Sequence, residues 1–479
     1  MGAAENLLSE EHSIRNERLE MSHTTLLDLS RWQWALTAAF HITFPAVTVG
    51  TSVFLIVCYA MYMRTDSDVW LRMFRFWRRI FAIGFALGVV SGIVLTFEFG
   101  LNWGPYAHDV GPIVGVMIAM EVVMAFFLEA GFLGLLVYGE GRIGKRMMLF
   151  STCMVTLGTT LSVTWILVAN SWMQTPAGYK EVNGQFQPVN WIHVIFNPSF
   201  GIRMVHMLVA VLIAAAWFIA GVSAWYFVKG RHLPIARRGL SVALGSLAVI
   251  LPLQGFIGDN VVAYVAKYKT PQFEAQEGNW TPNTSYNILE IPHQAGPSNY
   301  WQLSIPWLGS AISKDFSGHT AIPPLSLTPA SLRPSLLTTF YGFRVMWFGW
   351  ALMVAVAMAG VILRLRGRLY STGWFHKLLL WMIPSGFLAV WGGWVLAETG
   401  RQPWLVYGKL LTADAVSPLK TWPVIVSLTA FVLFYVGLLT TYIWYVARAV
   451  REGPGDGPLV EPPIPSYRPA PLPGLTPAN

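Results

Sequence analysis

Apolar and polar positions divide this chain into long blocks. Nine apolar runs, near 32–63, 80–100, 113–138, 148–173, 201–228, 238–260, 338–363, 376–399 and 422–447, are separated by polar connections. Each reaches the roughly 20 residues that a helix needs to cross about 30 Å of hydrocarbon. The pattern predicts an all-α polytopic membrane protein with nine transmembrane helices and no repeat of fixed period. Residues 1–28 form a polar N-terminal extension without the apolar core of a cleavable signal, and Met21 is an alternative start to Met1. Helices one to six fill 29–260 and helices seven to nine fill 338–450. Between them, 261–337 is long, polar and rich in Pro, Asn and Ser, and loops of that length are functional or disordered. The end, 451–479, is a Pro-rich tail expected to be extended.

Composition agrees, with 54% hydrophobic and only 12% charged residues. The net charge of +8 could suggest nucleic acid, but the basic residues fall in small clusters between apolar runs, which is a topology signal. Arg64, Arg72, Arg75, Arg78 and Arg79 follow helix one, and Arg142, Lys145 and Arg146 follow helix three. Lys229, Arg231, Arg237 and Arg238 follow helix five, and Arg364, Arg366, Arg368 and Lys377 follow helix seven. Every odd-to-even loop is basic, so the N-terminus is expected outside, the C-terminus in the cytoplasm and the 261–337 loop at the outer face. Cys58 and Cys153 lie inside apolar runs without metal-ligand or haem-attachment spacing.

Ionisable groups at membrane depth carry the chemistry, since each Asp, Lys or Arg costs roughly 2.5 to 3.5 kcal/mol at a helix centre. Of ten histidines only His41 and His206 sit well inside apolar helices, and the acids there are Glu98, Glu121, Glu129 and Glu398. Pro45 cannot donate to the His41 carbonyl, so helix one should kink there and leave room for a ligand-binding or a core histidine. His206 and Met346 open helices five and seven at similar depth, and a facing His and Met would fill both axial positions of an electron-transfer haem. Arg203 and Arg344, close to these in sequence, either neutralise haem propionates or snorkel to the interface. On a regular helix Glu121 and Glu129 stand about 12 Å apart along the axis and about 80° apart around it, like successive stations of a proton relay. Trp394, Glu398 and Arg401, at i, i+4 and i+7, share the outer end of helix eight, which Gly400 should cap and Pro403 should stop.

These motifs together resemble subunit I of the cytochrome bd family of quinol oxidases. The resemblance runs from Leu29 to Val450 and rests on His41 with Pro45, Met120-Glu121 through Phe127-Leu128-Glu129, Trp165 to Asn170, Phe343-Arg344-Val345-Met346, and Trp394 and Glu398 before Gly400-Arg401-Gln402-Pro403-Trp404. It implies a copper-free terminal oxidase of the bacterial inner membrane that oxidises quinol and reduces oxygen to water. The haem complement so implied is two haem b and one haem d, or a third haem b. His206 and Met346 would hold the low-spin haem b, with His41, Glu121 and Glu398 at the two high-spin haems, Arg401 and Trp394 near them and Glu129 on a proton path. Lys269 and Glu274, with Gly258-Asp259, would serve quinol in a loop of the short, cyanide-insensitive-oxidase-like branch. Here Pro271 and Gln272 replace the usual apolar spacing, and Glu98 stands where glutamine is common. The implied partners are a subunit II, small accessory subunits, quinol, oxygen and lipid, and no nucleic acid. Quinol protons released outside and oxygen protons taken from inside would separate charge without a pump. A haem-copper oxidase needs more membrane histidines than two. The competing readings are a haem-bearing electron-transfer subunit without oxidase activity and an ion transporter built on the membrane acids.

Overall fold

The computed structural model describes residues 2–312 and 321–455; positions 456–479 of the expected tail and 313–320 of the outer loop lie outside them. Among the described residues, nine helices are long and apolar enough to span a membrane. They are α1 (Gly2–Thr65, spanning from Thr24), α2 (Asp68–Leu101), α3 (Gly104–Tyr138), α4 (Lys145–Gln174), α5 (Phe200–Lys229), α6 (Leu233–Tyr268), α7 (Leu336–Leu365), α8 (Gly373–Thr399) and α9 (Thr421–Glu452). Each contains one of the nine predicted runs.

Three details depart from the hydropathy reading. The α1 backbone is helical from Gly2, because from Ala3 onward neither Gly nor Pro interrupts it before Pro45. α8 is two helices, Gly373–Trp381 and Ser385–Thr399, broken at Pro384. α3 is not a regular helix: wider π turns occupy Gly111–Gly115 and Glu121–Phe126.

α1 and α5 form the centre of the bundle. α1 packs on α2, α4, α5 and α9, while α5 also packs on α6 and α8, and α9 is the least buried span. Lipid tails are as apolar as leucine, so close approach through small residues matters more here than apolar burial. Gly386 of α8 lies against Ala214 of α5, and Gly342 of α7 against Gly392 of α8, each where a Cβ would collide with the neighbouring helix. Below Trp217, Trp77 and Phe375 the core continues into a cluster containing Arg78, which is buried and meets Glu140 at 2.9 Å.

Two hairpins and the long loop cover one end of the bundle. β1 (Tyr179–Val182) pairs antiparallel with β2 (Gln185–Pro188). The long loop begins at Lys269 with a short helix, Thr270–Glu277, ended by Gly278 at φ +71, a left-handed position that favours glycine. Its hairpin pairs β3 (Tyr286–Ile291) with β4 (Trp301–Ile305). After α8, β5 (Trp404–Val406) turns back onto β6 (Leu410–Leu411).

Candidate functional site

The outer end of α8 closes into a polar knot. Gly400 donates its N–H to Leu396 O at 2.9 Å and the helix stops at Thr399. Arg401 then folds back so that Nη2 meets Glu398 Oε2 at 2.5 Å, while Glu398 Oε1 accepts from Asn170 Nδ2 at 2.8 Å. One turn on along α4, Gln174 Nε2 donates to Ala397 O at 3.3 Å, and Gln174 Oε1 accepts from Lys269 Nζ. Lys269 also donates to Gln272 Oε1 and lies over the Tyr407 ring. Arg203 of α5 is within electrostatic reach of Glu398 and Arg401.

The knot therefore gathers three cations around one carboxylate. Burial, then Arg203 and Arg401, push the Lys269 ammonium well below the ordinary lysine range. Four buried N–H groups here lack a partner: Arg203 Nε, Arg401 Nε and Nη1, and Trp394 Nε1. Buried donors are normally satisfied, so this excess suits an anionic ligand with several oxygen acceptors, as haem carboxylates are. The residues fit the group.

The histidines have supports that fix their rings. His41 Nδ1 lies 3.0 Å from Ser91 Oγ, whose own hydrogen is directed to Leu87 O at 2.8 Å. With that hydroxyl donating to Leu87 O, Ser91 Oγ accepts from Nδ1–H in the tautomer that leaves the Nε2 lone pair of His41 free for a metal. Gly92 faces the same ring and leaves room beside it. α1 runs on through Pro45, whose missing N–H removes the usual partner of the His41 carbonyl. His206 is met by Gln254 Nε2, 3.3 Å from Nδ1 and 3.2 Å from the His206 carbonyl oxygen, and Gln254 Oε1 has no partner. Gly393 of α8 abuts the Met346 sulfur, and Gly258 of α6 lies beside His206.

The two acids of α3 both face α4. Glu121 Oε1 accepts from Ser162 Oγ at 2.7 Å, and the buried Glu129 lies on Gly158, one turn earlier, where a Cβ would overlap the Glu129 side chain. The π turn Glu121–Phe126 explains this alignment. One extra residue in a turn cancels about 100° of rotation, bringing a predicted separation of about 80° close to about 20°. Glu98 stands apart, buried at the α1–α2–α9 junction, accepting from Thr37 Oγ1 at 3.0 Å. The Tyr435 hydroxyl in turn meets Thr37 at 3.3 Å.

Lys269 and Glu274, expected to act as a pair, are turned to different surroundings. Lys269 enters the knot, whereas Glu274 Oε2 accepts from Thr328 Oγ1 at 2.6 Å with Arg333 nearby. Asp259 is exposed on α6. Arg344 does not project its whole fork toward a propionate: Nη1 donates to Gln276 O at 2.6 Å and Nη2 to Asn287 O, with Glu277 at 3.9 Å and the Phe340 ring 3.9 Å below. Sequence reasoning missed the buried loop acids Glu277 and Glu290, because a polar loop reads as solvated. It also missed Gln174 and Gln254, although amides within apolar helices are themselves a signal.

A family model described as cytochrome bd terminal oxidase subunit I matches residues 29–454. Cytochrome bd-II ubiquinol oxidase subunit 1 of Escherichia coli (strain K12) is 30% identical over 501 residues, covering 90% of this chain and 97% of the relative. Cytochrome bd ubiquinol oxidase subunit 1 of Bacillus subtilis (strain 168) is 30% identical over 445 residues, covering 89% and 94%. The solved bd oxidase from Geobacillus thermodenitrificans superposes with a TM-score of 0.83 at 25% identity, covering 90% of this chain and all of that one.

Proposed function

Because the chain belongs to the cytochrome bd terminal oxidase subunit I family, we propose a division of labour among its residues for the reaction of that family. The protein is a multi-pass inner-membrane subunit of a bacterial respiratory terminal oxidase, a quinol:oxygen oxidoreductase that carries haem. Such subunits normally work with a subunit II. We assign two haem b and one haem d, or a third haem b, together with a subunit II and small accessory subunits. Haem iron, when bound, supplies one-electron transfer and the place where oxygen is reduced.

His206 and Met346 hold the low-spin haem b. Turned about, the Gln254 amide would accept the Nδ1 proton of His206 and leave Nε2 for iron. His41, Glu398 and Glu121 serve the two high-spin haems, a reading supported for His41 by the tautomer that Ser91 imposes. Arg401, Arg203 and Trp394 donate to haem carboxylates or orient their surroundings. Arg344, the other candidate propionate partner, has only Nε left over for such a role. Glu129 holds a proton one station from Glu121 and passes it toward the oxygen site. Lys269 and Glu274 of the outer loop, with Asp259 of α6, are the candidate quinol residues, supported by the burial of the first two.

The observation that carries this reading is the knot at Glu398, a buried cationic pocket with four N–H groups to spare. With the N-terminus and the loop outside, quinol protons leave on one side and oxygen protons enter from the other, so charge separates without pumping. The test uses the complete complex in proteoliposomes. Haem extraction and a reduced-minus-oxidised spectrum should count three haems, and quinol should drive oxygen uptake with a membrane potential. Haem without oxygen uptake would favour an electron-transfer subunit, and uptake without potential would remove the charge-separating geometry.

A further inference from the structure

The outer loop buries more acid than its fold needs. Glu290 is fully buried on β3, although most of its hairpin partner β4 is exposed. Its Oε2 accepts from Asn287 Nδ2 at 3.1 Å and Asn299 Nδ2 at 3.0 Å, and its Oε1 has no partner. The carboxylate fills the space beside Gly278 that any Cβ would take. Immediately before that glycine, Glu277 is also buried, with Oε2 unpartnered and 3.9 Å from Arg344 Nη2. Two acids, each with one oxygen that accepts no hydrogen bond, thus lie in the field of one guanidinium, Glu277 at ion-pair distance and Glu290 at longer range.

An acid buried for structure alone should have both oxygens satisfied. We propose that Glu290 is a proton acceptor for quinol oxidation, receiving one of the two protons released in the outer loop and returning it to the external solvent past the half-exposed Asn299. This rests on the reading of the loop as the quinol site. As a quinol becomes the quinone, both O–H bonds break, two protons pass to bases, and two electrons pass through the oxidase to reduce oxygen. Arg344 is suited to the sequence, because when one carboxylate takes a proton the guanidinium still balances the other.

The charged groups facing Glu290 are Arg344 from α7 and Glu277 from the loop helix, while the Tyr341 hydroxyl donates to the Glu290 backbone oxygen at 2.6 Å. Burial pushes the Glu290 carboxyl up to about 8 against the opposing pull of Arg344. A base works only after losing its own proton, so its contribution should grow as pH rises through that value.

The test is anaerobic quinol-driven haem reduction in the intact complex, followed by stopped flow against pH, with Glu290→Gln and Glu290→Asp. A small one-electron donor that reduces haem directly serves as the bypass control. The Gln variant should lose the ascending alkaline limb and slow by roughly tenfold or more, toward the contribution of a positioned base, with spectrum and bypass rate unchanged. The Asp variant should recover most of the rate with a displaced midpoint. Wild-type quinol rates and slope in the Gln variant would overturn the assignment. If the Gln variant fails to assemble, the Asp variant decides, since an unmoved midpoint with full haem content overturns it too. Wild-type complex that accepts electrons from the bypass donor but none from quinol would instead remove the quinol reading beneath it.

Discussion

The knot around Arg401 and the cluster around Arg344 are built from the same parts and left with different surpluses, donors alone in the first and acid oxygens as well in the second. At the end of α8, Arg401 closes on Glu398 at 2.5 Å, and the spare groups are donors on Arg401, Arg203 and Trp394. Under the loop, Arg344 is held mainly by the carbonyls of Gln276 and Asn287, and the spare groups include acceptors on Glu277 and Glu290 beside the donors Arg344 Nε and Asn279 Nδ2. A buried guanidinium therefore does not define a site by itself; what its neighbours leave unsatisfied does. Spare donors await a multiply charged anion, and spare acceptors await protons.

The sharpest way to break this contrast is Glu398→Ala. It should abolish one high-spin haem signal and spare the His206–Met346 haem in a reduced-minus-oxidised spectrum; equal loss of both would erase the division. Next comes Arg344→Leu, which strands two buried acids, a change of the kind that costs about 3–5 kcal/mol when a buried pair loses one member. Quinol-driven haem reduction should fall by roughly a hundredfold, and limited proteolysis should cut within the loop while the haem spectrum survives. Lys269→Met should be milder. Its ammonium is already pushed down by burial, and an apolar chain of similar volume should change stability by less than about 1.5 kcal/mol. The Michaelis constant for quinol is the quantity expected to rise, by a few fold, in steady-state oxygen uptake. Smallest in its reach is Gly158→Ala, where the new methyl presses on Glu129 at a cost of about 1–3 kcal/mol. Membrane potential should then build more slowly, while direct haem reduction is unaffected.

Much of the bundle was legible because hydropathy reports the one property that a membrane demands. The nine spans, the isolated histidines and the acids at membrane depth followed from apolar runs and the cost of placing charge within them, whereas Arg401 lies past the end of the helix at Thr399 and meets Glu398 by folding back, not along a helix face. Register was not legible. The π turn after Glu121 changes which way Glu129 points without altering any apolar count, and the break at Pro384 leaves α8 as apolar as before. The outer loop was hidden for another reason. Several of its buried side chains are polar and bonded largely to one another, as Asn287 is to Asn279, Glu290 and Ser304, and such a core has much of the composition of a solvated segment. Lys269 and Glu274 were placed together by the family resemblance, whereas hydrogen bonds to Gln174 and Thr328 draw them apart.

Lys269, the first residue after α6, has its ammonium lodged between Gln174 and Gln272. It acts as a mooring. To lift the loop helix, the chain would have to drag a desolvated amine across neighbouring arginines; farther along the loop, β4 is largely exposed while β3 is held by its buried Asn287 and Glu290. One side chain therefore ties the start of the outer loop to the α8 knot, so a displacement at either is felt at the other.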